Sequence, residues 1–268
     1  METGAATFDH SISDLDLGLF EKIPSQSSTT DKRSMLACQL ATRELVTSYG
    51  YLEIGSHLGG SLQPHLLDPR CERIVSIDKR PSKQPDNRGL TFRYPNNSTE
   101  RMLDLLRGVS ANQLDKVNCI DADARELTPN AVVGPIHLCF IDGEHTDEAM
   151  LADFEFCLSA LGESGAIVFH DANILCNGLT EAISRLEQRK RPFHAYNLPH
   201  ALFVVEVGSF PLHRNAHVHE RLIDNYVGYL AALRANEHFR RWANLPLLRA
   251  VRIARARLKR NDAIEYWD

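Results

Sequence analysis

Five short runs of residues, apolar almost throughout, alternate with longer stretches of helical periodicity, and this alternation limits the fold more than anything else in the chain. The runs fall at residues 51–54, 73–77, 117–120, 137–141 and 166–169, with helices expected near 61–67, 99–107 and 148–161. A strand with one wet face alternates polar and apolar residues; strands apolar on both faces belong to a parallel sheet covered by helices on each side. Upstream, Ser28-Thr-Thr-Asp31 offers a capping box for a helix to about residue 49, with Met35, Leu36, Leu40, Leu45 and Val46 on its apolar face. Downstream, a helix at 179–189 precedes two strands, 193–197 and 201–207, that form a hairpin around Leu198-Pro199-His200. The expected fold is α/β and doubly wound: a mostly parallel seven-stranded sheet closed by an antiparallel hairpin.

The chain has 268 residues, enough for one large core. Its formal charge of −5 argues against a general nucleic-acid partner, which needs a basic surface. Six scattered cysteines without a C-x-x-C pair suggest buried thiols, not a disulfide framework. The N-terminus shows no signal-peptide pattern and no apolar stretch approaches membrane-spanning length, so the expected address is the cytoplasm, with no transmembrane segment. Residues 1–28 read as a tail or loosely packed cover, 29–210 as the α/β domain, and 211–268 as a helical extension. The last helix, expected at 247–260, sets Leu247, Leu248, Val251, Ala254 and Leu258 against Arg249, Arg252, Arg255, Arg257, Lys259 and Arg260. Packing is expected there, for example in a homo-oligomer, in preference to contact with anionic lipid or an acidic glycan.

Chemistry-bearing residues gather at the strand ends. Glu53-Ile-Gly-Ser-His-Leu-Gly-Gly-Ser61 leaves the first strand and opens a helix. Gly55 permits a sharp turn, and Gly59 with Gly60 permits close approach of backbone to a ligand on the helix amides. Asp78 ends the second strand, placed to accept from ribose hydroxyls. Asp123 and Ala124 follow the third, placed to meet an adenine edge. The spacing E-x-G-x-x-x-G resembles motif I of class I methyltransferases, which have a Rossmann-like fold and end in an antiparallel hairpin. That resemblance implies S-adenosylmethionine as cofactor, held by Glu53, Gly55, Gly59, Ser61, Asp78, Asp123, Ala124 and Asp142.

Phe140-Ile-Asp-Gly-Glu-His145, Asp153-Phe154, Leu161-Gly-Glu-Ser-Gly165 and Ile167-Val-Phe-His-Asp171 make a more specific set. Over residues 30–208 it resembles the methyltransferase family of macrolide-sugar O-methyltransferases and cephalosporin-hydroxylase-type proteins. The resemblance implies O-methylation of a hydroxyl on a sugar or a glycosylated or polyketide-like metabolite, with His145 as general base. It also implies a divalent metal, Mg²⁺ or Mn²⁺, on Asp142, His170 and Asp171. The imidazole of His170 departs from an all-carboxylate pattern and shifts preference toward Mn²⁺ or a later metal. His137 is expected to be structural, Asp153 to pair locally, Asn173 to be a weak candidate for orienting substrate, and His57 to border the ligand. The small-molecule or glycan acceptor is expected to contact the N-terminal segment, residues 80–97 and the C-terminal helices. A metal-dependent hydrolase leaves Asp78 and Asp123 without a role, a nicotinamide oxidoreductase conflicts with the loop spacing, and a non-catalytic adenosylmethionine-binding module has no use for His145.

Overall fold

Ser28 starts the first long helix of the domain as the pattern requires: its side chain accepts from Asp31 N while Asp31 accepts from Ser28 N. The computed structural model describes residues 2–87, 89–243 and 245–259. Among these, α1 (Glu2–Ser13) and α2 (Thr29–Leu45) lead into β1 (Tyr49–Ile54), α3 (Gln63–Leu67) and β2 (Cys71–Ile77). A small hairpin follows, β3 (Lys83–Pro85) and β4 (Thr91–Arg93), then α4 (Thr99–Ser110), β5 (Val117–Ile120), β6 (Leu138–Ile141) and α5 (Asp147–Ala160). The domain closes with β7 (Gly165–Phe169), α6 (Cys176–Gln188), β8 (Phe193–Asn197) and β9 (Phe203–Val207). Helices α7 (Ala216–His219), α8 (Tyr226–Ala243) and α9 (Pro246–Lys259) come last.

The seven-stranded sheet runs β5-β2-β1-β6-β7-β9-β8. All neighbours through β7 are parallel, and β9 pairs antiparallel with both β7 and β8. Only β9 therefore opposes the others. The chain order reverses between β1 and β6, and an open sheet of this kind has a crevice at the strand ends there. One apolar layer, with Leu36, Tyr49 and Leu66, packs under α1–α4; a second, with Phe154, Leu179 and Phe203, packs under α5, α6 and α8. All six cysteines are free.

Residues 1–28, expected to form a tail or a loosely packed cover, are in part packed into the core. Phe8, Ile12, Leu15, Phe20 and Ile23 are buried in the first core layer, and Gln63 donates to the Phe20 and Ile23 carbonyls. Burial of these side chains holds the segment down. In the extension, Leu247 is 83% and Val251 63% exposed, so these two apolar side chains of α9 are not packed against other described residues. Arg260 and the side chains of Arg249, Arg252, Arg257, Leu258 and Lys259 lie outside the described residues. No helix among the described residues is long and apolar enough to cross a membrane.

Candidate active site

The loop after β1 is shaped by what it touches. Gly55 has φ +92°, and a Cβ there would lie 2.2 Å from the Asp142 carbonyl oxygen, so only glycine lets the β1 and β6 loops meet. Gly60 lies beneath Pro24 of the N-terminal segment, whereas Gly59 faces Met102 and Leu106 of α4 and does not border the crevice. Glu53 also stands apart from the ligand set expected of it. Fully buried, it accepts from Ser61 Oγ at 2.5 Å and Tyr51 Oη at 2.6 Å, bracing the loop from below. Burial pushes its carboxyl up to about 7 despite both donors.

Asp78 accepts from His57 N at 2.9 Å and Arg80 N at 2.7 Å, tying the glycine loop to the end of β2. It borders both the main crevice and a recess of about 30 Å³. Asp123 and Ala124 line that recess. Hydrogen bonds from Arg125, aided by Lys79, hold the Asp123 carboxyl well below the usual range. Lys79 Nζ bridges Asp123 (3.4 Å) and Glu144 (2.7 Å) at the edge of the recess.

Asp153, expected to pair locally, faces the same recess from α5. Burial, with Asp123 and Glu144 nearby, lifts its carboxyl to about 7. A group whose folded pKa exceeds its unfolded value contributes stability below the unfolded pKa, and that contribution is lost as pH rises through the folded value. Between pH 4 and 7 the Asp153→Asn protein should therefore lose less stability than the unaltered protein, by about 3 kcal/mol in urea unfolding. Parallel pH curves for the two proteins would contradict this.

At the ends of β6 and β7 four side chains converge. His170 Nδ1 lies 3.0 Å from Asp142 Oδ1 and 3.4 Å from Asp171 Oδ2; His145 Nε2 lies 3.2 Å from Asp171 Oδ2 and 3.5 Å from Asp142 Oδ1. Burial by itself would raise Asp142, but the two imidazoles hold it well below the carboxylate range. Conversely, burial would lower His145 and His170, and the facing carboxylates raise both. Asp171 adopts φ +50°, a left-handed conformation that costs a non-glycine residue about 1–3 kcal/mol and is common at functional sites.

The His170 ring tests whether these residues suit a cation. Both its nitrogens are buried and neither has an aligned hydrogen bond, although carboxylate oxygens stand close by. Its Nδ1 and one oxygen each from Asp142 and Asp171 lie within 4.8 Å of one another, a spacing that fits a shared ion. Behind the ring, Asp31 Oδ2 is 3.7 Å from Nε2, as an outer carboxylate orients a ligating imidazole. Asp31 is buried and also bonds Ser28, His200 and Ala201 N. Its sequence signal was that of a capping residue; nothing there linked it to His170.

These groups line a cavity of about 230 Å³. Its walls come from the β1 loop, from Pro24–Ser28, and from Gln84, Phe92, Tyr94 and Asn97 around the β3–β4 hairpin. Ser25 Oγ and Ser56 Oγ are buried there without partners. His57 borders the cavity, Asn173 does not, and among the described residues neither do the C-terminal helices expected to do so. His137 accepts from Gly50 N at 3.1 Å, a structural contact.

The family model described as a methyltransferase domain matches residues 52–172. No curated protein matches the chain. Among solved structures, an O-methyltransferase from Bacillus cereus in complex with SAH is 16% identical, covering 78% of this chain and 99% of that one, with a TM-score of 0.47. TomG, an O-methyltransferase from Streptomyces achromogenes in complex with SAM, is 14% identical over 76% of this chain and 89% of its own, with a TM-score of 0.46. The N-methyltransferase NodS from Bradyrhizobium japonicum WM9, in complex with S-adenosyl-L-homocysteine, is 12% identical over 77% and 98%, with a TM-score of 0.44. In its strand order, with β9 alone reversed, and in the methyltransferase domain matched at residues 52–172, the chain is similar to the class I S-adenosylmethionine-dependent methyltransferases.

Proposed function

We propose that this chain O-methylates a hydroxyl on a sugar or on a glycosylated or polyketide-like small molecule, with a divalent cation held by Asp142, His170 and Asp171. The observation that carries the reading is the meeting of those three residues with His145 in the crevice beside the glycine loop. A polar cavity with serine hydroxyls, Gln84, Asn97 and two aromatic rings suits an oxygen-rich acceptor that stacks on Phe92 or Tyr94.

The cofactor's sulfonium already activates the methyl group, so the protein's task is alignment of acceptor oxygen, methyl carbon and sulfur. Gly55 and the amides after it approach the cofactor, while Asp78 offers its remaining lone pairs to the ribose. Asp123, Ala124 and Asp153 surround the adenine. Ser25 and Ser56 offer unpaired hydroxyls to the amino-acid end. His145 takes the acceptor proton through Nε2, the nitrogen facing Asp142 and Asp171. A divalent ion would lower the hydroxyl's pKa and offset the carboxylate charge that raises His145.

Calorimetry with S-adenosylhomocysteine, followed by methyl transfer to a panel of glycosides with and without Mn²⁺ or Mg²⁺, tests this reading. Asp78→Ala should weaken adenosylhomocysteine by about 1–3 kcal/mol. Unchanged affinity in an Asp78→Ala/Asp123→Ala protein would remove the cofactor assignment. Full turnover after chelation would remove the metal and leave the transferase.

A further inference from the structure

A second constellation lies on the edge hairpin, at the end of β8 and β9 away from His200. His194 and Glu206 are directly opposed partners across the two strands, so their side chains share one face. The turn Leu212–Arg214 brings His213 over the same face. His213 Nδ1 is 2.6 Å from Glu206 Oε2 and 3.0 Å from His194 Nδ1, and His194 Nδ1 is 3.6 Å from Glu206 Oε2. Ligand atoms about 2.0–2.1 Å from a tetrahedral ion stand roughly 3.3 Å from one another. The observed triangle brackets that value.

The outer atoms are already held. His194 Nε2 contacts Asp224 Oδ1 at 2.8 Å, an arrangement that fixes the proton on Nε2 and leaves Nδ1 as a lone pair directed inward. Glu206 Oε1 accepts from Tyr196 Oη at 2.8 Å and His213 N at 2.7 Å, which leaves Oε2 to face the two imidazoles. Asp224 is itself located by Ile223, whose backbone pairs with Asn197 of β8. Glu206 is 2% exposed, whereas the side chains of His194 and His213 are about one-third exposed, so a fourth position opens to water.

We propose that His194, Glu206 and His213 form a zinc site, separate from the crevice and outside residues 52–172. Two imidazoles and one carboxylate with an open fourth position suit Zn²⁺ and are poor ligands for Mg²⁺. On binding, His213 presents the Nδ1 lone pair to the ion and carries its proton on Nε2. The ion clips the last pair of strands to the turn before α7 and, through Asp224, to the segment before α8.

The test uses the full chain with Asp171→Asn, which weakens the crevice cluster as a competing metal site. Zinc is titrated against a chromophoric chelator, and Co²⁺ binding is followed by visible absorption. One tight Zn²⁺ equivalent is expected, with an intense tetrahedral Co²⁺ spectrum; His213→Ala should abolish both. Asp224→Ala, which removes no ligand, should weaken zinc about 10–100-fold. Equal zinc affinity with and without His213, or a weak octahedral Co²⁺ spectrum, overturns the proposal. Should the His213→Ala protein not fold, the Co²⁺ spectrum and the Asp224→Ala affinity decide the matter alone.

Discussion

Replacing His145 with alanine is expected to lower turnover by about a hundredfold to ten-thousandfold, while adenosylhomocysteine affinity stays close to that of the unaltered protein. The split follows from position: His145 Nε2 faces Asp142 and Asp171, whereas the contacts proposed for ribose and adenine lie at the ends of β2 and β5. Steady-state rates with a competent glycoside and calorimetry with the product cofactor read the two quantities separately. High pH should recover part of the loss, since hydroxide can take the proton that imidazole no longer takes. Normal turnover in the variant would assign proton removal to solvent or metal. Joint loss of binding and activity would make His145 a positioning residue for the loop after β6.

Gly55→Ala is expected to have the next largest effect. The φ of +92° strains any side chain, costing about 1–3 kcal/mol, and the added methyl meets backbone at 2.2 Å, so the loops must separate at a similar cost. Against a typical total of about 5–15 kcal/mol this is a large fraction. Gly162→Ala serves as the control: φ there is +65°, but nothing lies within 4 Å of the added atom. Urea unfolding should show the smaller, conformational cost alone for Gly162→Ala, with cofactor binding intact. Gly55→Ala should lose more stability and also bind adenosylhomocysteine poorly. Equal behaviour of the two proteins would mean that the β1 and β6 loops can part freely.

Both predictions concern regions where sequence and structure agree closely, and the agreement has a physical origin. Strands β5 and β8 fall at the expected residues because each is a short run bounded by turn chemistry. The capping box at Ser28 was readable because its two hydrogen bonds are local. Hairpin β3–β4 was not readable: three-residue strands beside Pro81, Pro85 and Pro95 carry too little periodicity. The packing of Phe8–Ile23 depends on α2 and α3, and nothing local announces it. Glu53 looked like a ligand contact because its spacing matched a motif, yet Tyr51 and Ser61 occupy both its oxygens. The cluster of His194, Glu206 and His213 becomes visible only once strand register is known.

The crevice has walls of two origins. The ends of β1, β2, β6 and β7 supply one side, and Pro24–Ser28 with the β3–β4 hairpin supply the other. The second side lies outside the large sheet, so its residues can be exchanged without disturbing any strand pairing there. Ser25 apart, substitutions in these two short segments can therefore retune which acceptor enters, while the strand-end residues proposed to hold the methyl donor stay as they are.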